Sequence, residues 1–141
     1  MDLSPIVLVE DNATDEMFAL RAFRKNGTAR EILVARDGQQ ALDLLLDPGA
    51  PVPAFVLLDL KLPKIDGCEV LRRVRAEPRT RFLPVIMLTS STQEDDLRQC
   101  YLLGANSYVC KTLDIDEFTR EIGDITYYWL NVNHLPPSLA G

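Results

Sequence analysis

At 141 residues the chain is expected to form one domain over 1–141, with a core over 5–130 and a tail over 131–141, and not a catalytic domain joined to a second module. Its composition, 47% apolar and 26% charged, excludes the disordered and fibrous classes. Fifteen basic against twenty-one acidic side chains give a net charge of −6, which argues against nucleic acid as a partner, and no apolar run approaches the roughly 18 residues of a membrane span.

Residues 1–5 carry no basic n-region, so a cytoplasmic location is expected. The first apolar run, Ile6-Val7-Leu8-Val9, is short, continuous and rich in β-branched residues, the pattern of a strand buried on both faces of a parallel sheet. Ala13, Met17, Leu20 and Phe23 follow at helical spacing, then a second run, Ile32-Leu33-Val34-Ala35, and a second helix on Ala41, Leu42, Leu45 and Leu46. A third strand, Phe55-Val56-Leu57-Leu58, precedes a helix carrying Val70, Leu71 and Val74, and a fourth, Val85-Ile86-Met87-Leu88, precedes one carrying Leu97, Cys100 and Tyr101. Ser91 with Glu94 has the spacing of a capping box before that fourth helix. Ser107-Tyr108-Val109-Cys110 is the fifth strand. Ile115, Phe118, Ile122, Ile125, Trp129 and Val132 then step by three or four residues, which predicts one long amphipathic helix capped by Asp114 and Glu117.

Five strand and helix units joined by right-handed crossovers predict an α/β, flavodoxin-like, doubly wound parallel sheet of five strands in the order 2-1-3-4-5, with an extended C-terminal helix and tail. In such sheets ligands sit at the carboxyl ends of the strands. Strand one runs into Glu10 and Asp11, strand three into Asp59, strand four into Thr89, Ser90 and Ser91, and strand five into Lys111. Three carboxylates brought together repel one another unless a hard cation neutralises them, and an open acidic pocket suits Mg²⁺ better than Ca²⁺. Cys68, Cys100 and Cys110 form no C-x-x-C pair and His134 stands alone, so neither a disulfide framework nor a zinc site is expected.

Val9-Glu10-Asp11-Asn12, the stretch from Leu58-Asp59-Leu60-Lys61 to Asp66-Gly67, Leu88-Thr89-Ser90, and Gly104-Ala105-Asn106-Ser107-Tyr108-Val109-Cys110-Lys111 together strongly resemble the receiver domain of two-component response regulators. The resemblance implies that Asp59 accepts a phosphoryl group from a phosphohistidine on a sensor kinase. It implies a Mg²⁺ held by Asp11, Asp59, the backbone carbonyl of Lys61 and, through water, Glu10. Lys111 then pairs with a phosphoryl oxygen, Thr89 hydrogen-bonds to the phosphoryl group, and Tyr108 rotates inward to fill space that Thr89 vacates. Such a chain carries phosphorylation and autodephosphorylation chemistry on its own aspartate and is not expected to be an enzyme in the usual sense. Read without the resemblance, Thr89 is the polar end of a strand, Tyr108 a half-buried sheet residue and Lys111 a surface cation beside acids.

Two features depart from the common receiver pattern. Lys111 is followed by Thr112 where most receivers have a proline after a cis peptide, so a trans bond is expected here. The tail carries Tyr127, Tyr128, Trp129, Leu130 and Leu135, and with the missing proline this resembles the single-domain regulators that partner phytochrome-type histidine kinases. Tyr127, Tyr128, Leu130 and Leu135 cannot all share one face of a helix with the core ladder, so a homodimer through the fourth and fifth helices, the fifth strand and the tail is expected, its geometry or affinity shifting through Tyr108. The alternatives are a pseudo-receiver that binds partners without phosphorylation and, more remotely, an aspartate-dependent phosphatase of the dehalogenase kind. The phosphatase pattern needs a second aspartate where Lys61 stands, and Glu10-Asp11 opposes a flavin-phosphate cradle.

Overall fold

The computed structural model describes residues 3–137. Five parallel strands form one sheet: β1 (Ile6–Val9), β2 (Ile32–Ala35), β3 (Phe55–Leu58), β4 (Val85–Thr89) and β5 (Ser107–Cys110), in the order β2-β1-β3-β4-β5. Between and after them run α1 (Ala13–Lys25), α2 (Gly38–Leu45), α3 (Gly67–Ala76), α4 (Glu94–Leu102) and α5 (Ile115–Tyr127). The expected architecture, strand order and all five strand positions are observed.

The continuous apolar runs conceal an alternation. Val7, Val9, Val56, Leu58, Val85 and Met87 face the layer that contains Ala41, Leu42, Leu45, Val70, Leu71, Val74 and Cys100 of α2, α3 and α4. Ile6, Leu8, Phe55, Leu57, Ile86 and Leu88 face the opposite layer, with Ala19, Ala22, Phe23, Phe118 and Ile122 of α1 and α5. In β1, β3 and β4 every residue is buried, on one side or the other, and burial of this kind supplies about 1.5–3 kcal/mol for each large aliphatic group, whereas the edge strands β2 and β5 are only partly covered.

The helices depart from expectation in three places. On α1 the buried face is Ala19, Ala22 and Phe23, and Met17 is 45% exposed. Small alanines let α1 lie close to the sheet, and Met17 falls outside the buried face. On α4 only Cys100 is buried, while Leu97 and Tyr101 lie at the surface. Ser91 does not cap α4. Gln93 is the N-cap and makes no side-chain cap bond, and the Ser91 hydroxyl donates to Asp96 Oδ2 at 2.5 Å while accepting from the Gln93 amide at 3.3 Å.

The final segment is not one regular helix. Asp114 caps α5 through the Glu117 amide at 3.0 Å, as its spacing predicts, but α5 ends at Tyr127 and a π-helical turn continues over Tyr128–Val132. The Asn133 amide reaches back five residues to the Tyr128 carbonyl at 2.8 Å. The wider turn moves the last side chains off the 3.6-residue ladder, so Trp129 and Leu130 pack against the α1/α5 core while Val132 is exposed. Every described peptide bond is trans, that between Lys111 and Thr112 included, and the three cysteines are free.

Candidate functional site

Parallel pairing brings the strand ends level. Val9 lies beside Leu58, and Leu58 beside Met87, so Glu10 and Asp59 emerge from adjacent strands, with the Asp59 amide bonded to the Val9 carbonyl at 3.1 Å. Across β4 the Lys111 amide donates to the Thr89 carbonyl at 2.8 Å. A cleft at this end of the sheet is lined by Glu10, Asp11, Asp15, Asp59, Lys61, Thr89 and Lys111, together with the loop after β4.

The floor is set by a glycine. A Cβ on Gly67, the first residue of α3, would lie 2.3 Å from the Asp59 carbonyl oxygen, so α3 can start under the phosphoacceptor candidate only without a side chain there. The Gly67 amide bonds to the Leu60 carbonyl at 2.8 Å and closes the loop that carries Lys61.

Glu10, Asp11 and Asp59 each present a carboxylate oxygen within 4.8 Å of the others. This all-oxygen set, with Asp11 exposed and the other two buried, matches what a hard divalent cation requires. Burial, with the neighbouring Asp59 charge adding to it, pushes Glu10 up to about 7 against the opposing pull of Lys111. The carboxylates are therefore strained together, the condition a cation relieves.

The Lys111 ammonium lies at the centre of the acids. It donates to Glu10 Oε1 at 2.6 Å, Asp15 Oδ2 at 2.9 Å and Asp59 Oδ2 at 3.1 Å. Burial works to lower its pKa, and the bonds to Glu10 and Asp15 outweigh that, holding the ammonium charged above its ordinary value. Asp15 is the residue that strand-end reasoning does not find, because it sits in the first turn of α1. Its signal is the Asn12-x-x-Asp15 spacing: Asn12 caps α1 through the Asp15 amide at 2.9 Å, which turns that first helical turn back over the end of β1.

Thr89 is buried, and its hydroxyl accepts from the Ser91 amide at 3.3 Å. Tyr108 is half-buried and its hydroxyl donates to the Ser91 carbonyl at 2.9 Å, so Thr89 and Tyr108 are both tied to the same loop. The aromatic tail lies at the other pole. Tyr127, Tyr128 and Leu135 are exposed, Trp129 and Leu130 half-buried, and Tyr128 meets Trp129 edge-on with ring centroids 5.0 Å apart.

Residues 6–123 match the response regulator receiver domain. The chain belongs to that family. Among known proteins it is 44% identical over 134 residues to the probable methanogenesis regulatory protein FilR2 of Methanothrix harundinacea, covering 93% of this chain and 86% of that one. It is 34% identical over 135 residues to the response regulator Rcp1 of Synechocystis, covering 93% and 92% of the two chains, and the Mn²⁺-bound structure of Rcp1 superposes with a TM-score of 0.85 over 95% of this chain and 99% of that one at 33% identity. The phosphorylated cyanobacterial phytochrome response regulator RcpA gives a TM-score of 0.89 at 33% identity over 96% and 100% of the chains. This receiver domain is therefore related to single-domain regulators associated with phytochromes, and its acidic site has the donors to bind a divalent metal. No described helix is long and apolar enough to cross a membrane.

Proposed function

We propose that the chain is a single-domain, cytoplasmic response regulator that accepts a phosphoryl group from a phytochrome-type sensor histidine kinase onto Asp59 and signals by protein contact. The observation that carries the proposal is Asp59 itself, buried at the end of β3 between two further carboxylates and 3.1 Å from a charged lysine. An isolated surface aspartate has no need of either neighbour.

A carboxylate oxygen of Asp59 attacks phosphorus, the P–N bond of the phosphohistidine breaks, and the imidazole leaves with the bonding pair. Asp11, Asp59, the Lys61 carbonyl and, through water, Glu10 would hold Mg²⁺, which supplies charge neutralisation for the transferring phosphoryl oxygens. Lys111 offers a compact positive charge to another of those oxygens. Thr89 offers its hydroxyl to the bound phosphoryl group. Its loop is shared with Tyr108, so a movement of that loop reaches the β5 face.

The similarity to RcpA and Rcp1 supports a phytochrome-type kinase, and the exposed Tyr127, Tyr128 and Leu135 support a homodimer. Incubation with a small phosphodonor and Mg²⁺, followed by intact mass, tests the core of the proposal. One phosphoryl addition is expected for the parent chain and none for Asp59→Asn or Asp11→Ala. A parental rate in Asp11→Ala overturns the metal assignment, and no addition to the parent chain favours a pseudo-receiver. Phosphotransfer from a phytochrome-type kinase, compared with an unrelated histidine kinase, tests the input.

A further inference from the structure

We infer that Asp15 is a positioning residue for phosphoryl transfer: it holds the Lys111 ammonium at the cleft while the other two partners of that ammonium are called away. The inference rests on the proposed role of Asp59 as phosphoacceptor.

An ammonium has three hydrogens to donate, and all three are committed here to carboxylates, those of Glu10, Asp15 and Asp59. Two of these acceptors belong to the metal and phosphoryl chemistry. Glu10 Oε2 accepts from the Asn12 amide at 3.2 Å, which orients the carboxylate, and a metal-bound water that takes its Oε1 would compete with the Lys111 contact. Asp59 gives its Lys111 contact to the incoming phosphoryl oxygen. Asp15 alone stands outside that set, on the first turn of α1, with its backbone fixed by the Asn12 cap.

The position of Lys111 needs such a tether. It precedes Thr112 in a loop without a proline, and its side chain stands between two spaces. On one side is the acidic cleft, and on the other an apolar recess of about 100 Å³ lined by Phe18, Leu88, Leu113 and Phe118. Glu10, Asp15 and Lys111 border both, so they form the partition. With Asp15 removed, the four-carbon arm of Lys111 has apolar surface to lie on once Glu10 and Asp59 are engaged elsewhere. The Asp15 side chain is 40% exposed, which screens its charge, so it acts by aiming the ammonium more than by adding electrostatic energy.

The test compares Asp15→Ala, Asp15→Asn and Lys111→Ala with the parent chain. With a small phosphodonor and Mg²⁺, Asp15→Ala should lower the maximal phosphorylation rate about tenfold while changing Mg²⁺ affinity by less than about twofold, since misaiming affects the reacting geometry and not the metal. Asp15→Asn, which keeps an acceptor oxygen, should recover most of the rate. In a Lys111→Ala background, Asp15→Ala should have no further effect. An unchanged rate in Asp15→Ala, or the same loss with and without Lys111, overturns the inference. Should the parent chain take no phosphoryl group, the functional reading fails first, and the side-chain ammonium NMR signal of Lys111 in the Mg²⁺-saturated protein, where Glu10 and Asp59 are drawn to the cation, still decides this one. That signal should move and broaden in Asp15→Ala and stay in place in Asp15→Asn, and an unmoved signal in Asp15→Ala overturns it.

Discussion

Glu10 is an acid held at about 7 by burial in a protein whose unfolded chain would release that proton near 4.5. Between those values the native state keeps a proton that the unfolded state has lost, so stability falls as pH rises from about 4.5 and the loss is complete above about 7. The difference is up to about 3 kcal/mol. Urea unfolding in metal-free buffer at pH 5 and pH 8 should show this decline, and Glu10→Gln should flatten it. Added Mg²⁺ should raise the midpoint more at pH 8 than at pH 5, because cation and proton compete for the same oxygens. Gly67 makes the second residue-scale prediction. Gly67→Ala drives a methyl group into the Asp59 backbone, and should cost about 1–3 kcal/mol and slow phosphorylation even where the fold survives. A variant with parental stability and rate would show that α3 can slide away from Asp59.

Among the elements, the first four strands are plain in the sequence because each is a short continuous apolar run, the fifth, Ser107-Tyr108-Val109-Cys110, is a weaker signal, and their ends deliver Glu10, Asp11, Asp59, Thr89 and Lys111 by topology alone. Helix faces are less legible. The stripe through Met17 on α1 fails because the packing surface is made by alanines, which carry little hydrophobic signal, and Asp15 escapes because its role depends on a cap and not on a strand end. On α3, Arg75 is the element-scale tie that no periodicity reveals. Its guanidinium donates to the carbonyls of Leu83 at 2.7 Å, Gly104 at 2.9 Å and Arg81 at 3.2 Å, and to Asn106 Oδ1 at 2.8 Å. Asn106 Oδ1 also accepts from the Val85 amide at 2.8 Å, so one side chain ties α3 to the starts of β4 and β5. Arg75→Met takes this donor from the Leu83, Gly104 and Arg81 carbonyls, while Asn106 keeps the Val85 amide, and should destabilise by about 3 kcal/mol, measured by urea unfolding. A loss below about 1 kcal/mol would mean that water replaces the guanidinium.

The whole molecule is organised by polarity along the sheet. Chemistry-bearing groups collect at the carboxyl ends of the strands, and the tail aromatics collect at the amino ends, where Tyr127 and Leu130 border the loop of Asn26 to Arg30. The sequence places the aromatic tail beyond the core ladder but not the π turn that sorts Trp129 and Leu130 inward from Tyr127 and Tyr128 outward, since one extra residue in a turn leaves no compositional mark. Light scattering on the full chain and on a version ending at Thr126 checks the assembly that follows from this sorting. A dimer that the truncation dissolves is expected, and a monomer in both, with and without phosphodonor, rejects it.

Helix α5 begins four residues after Lys111 and ends at Tyr127, a length of thirteen residues, so it spans about 20 Å from the acidic pole to the aromatic one. Capped at its upper end by Asp114, it would act as a lever if the β5–α5 loop moved. A tilt of about 5° at that loop displaces the far end by about 2 Å, more than the tolerance of a packed aromatic contact. If Asp59 takes the phosphoryl group as proposed, the distance over which the tail can sense it is the length of this one helix.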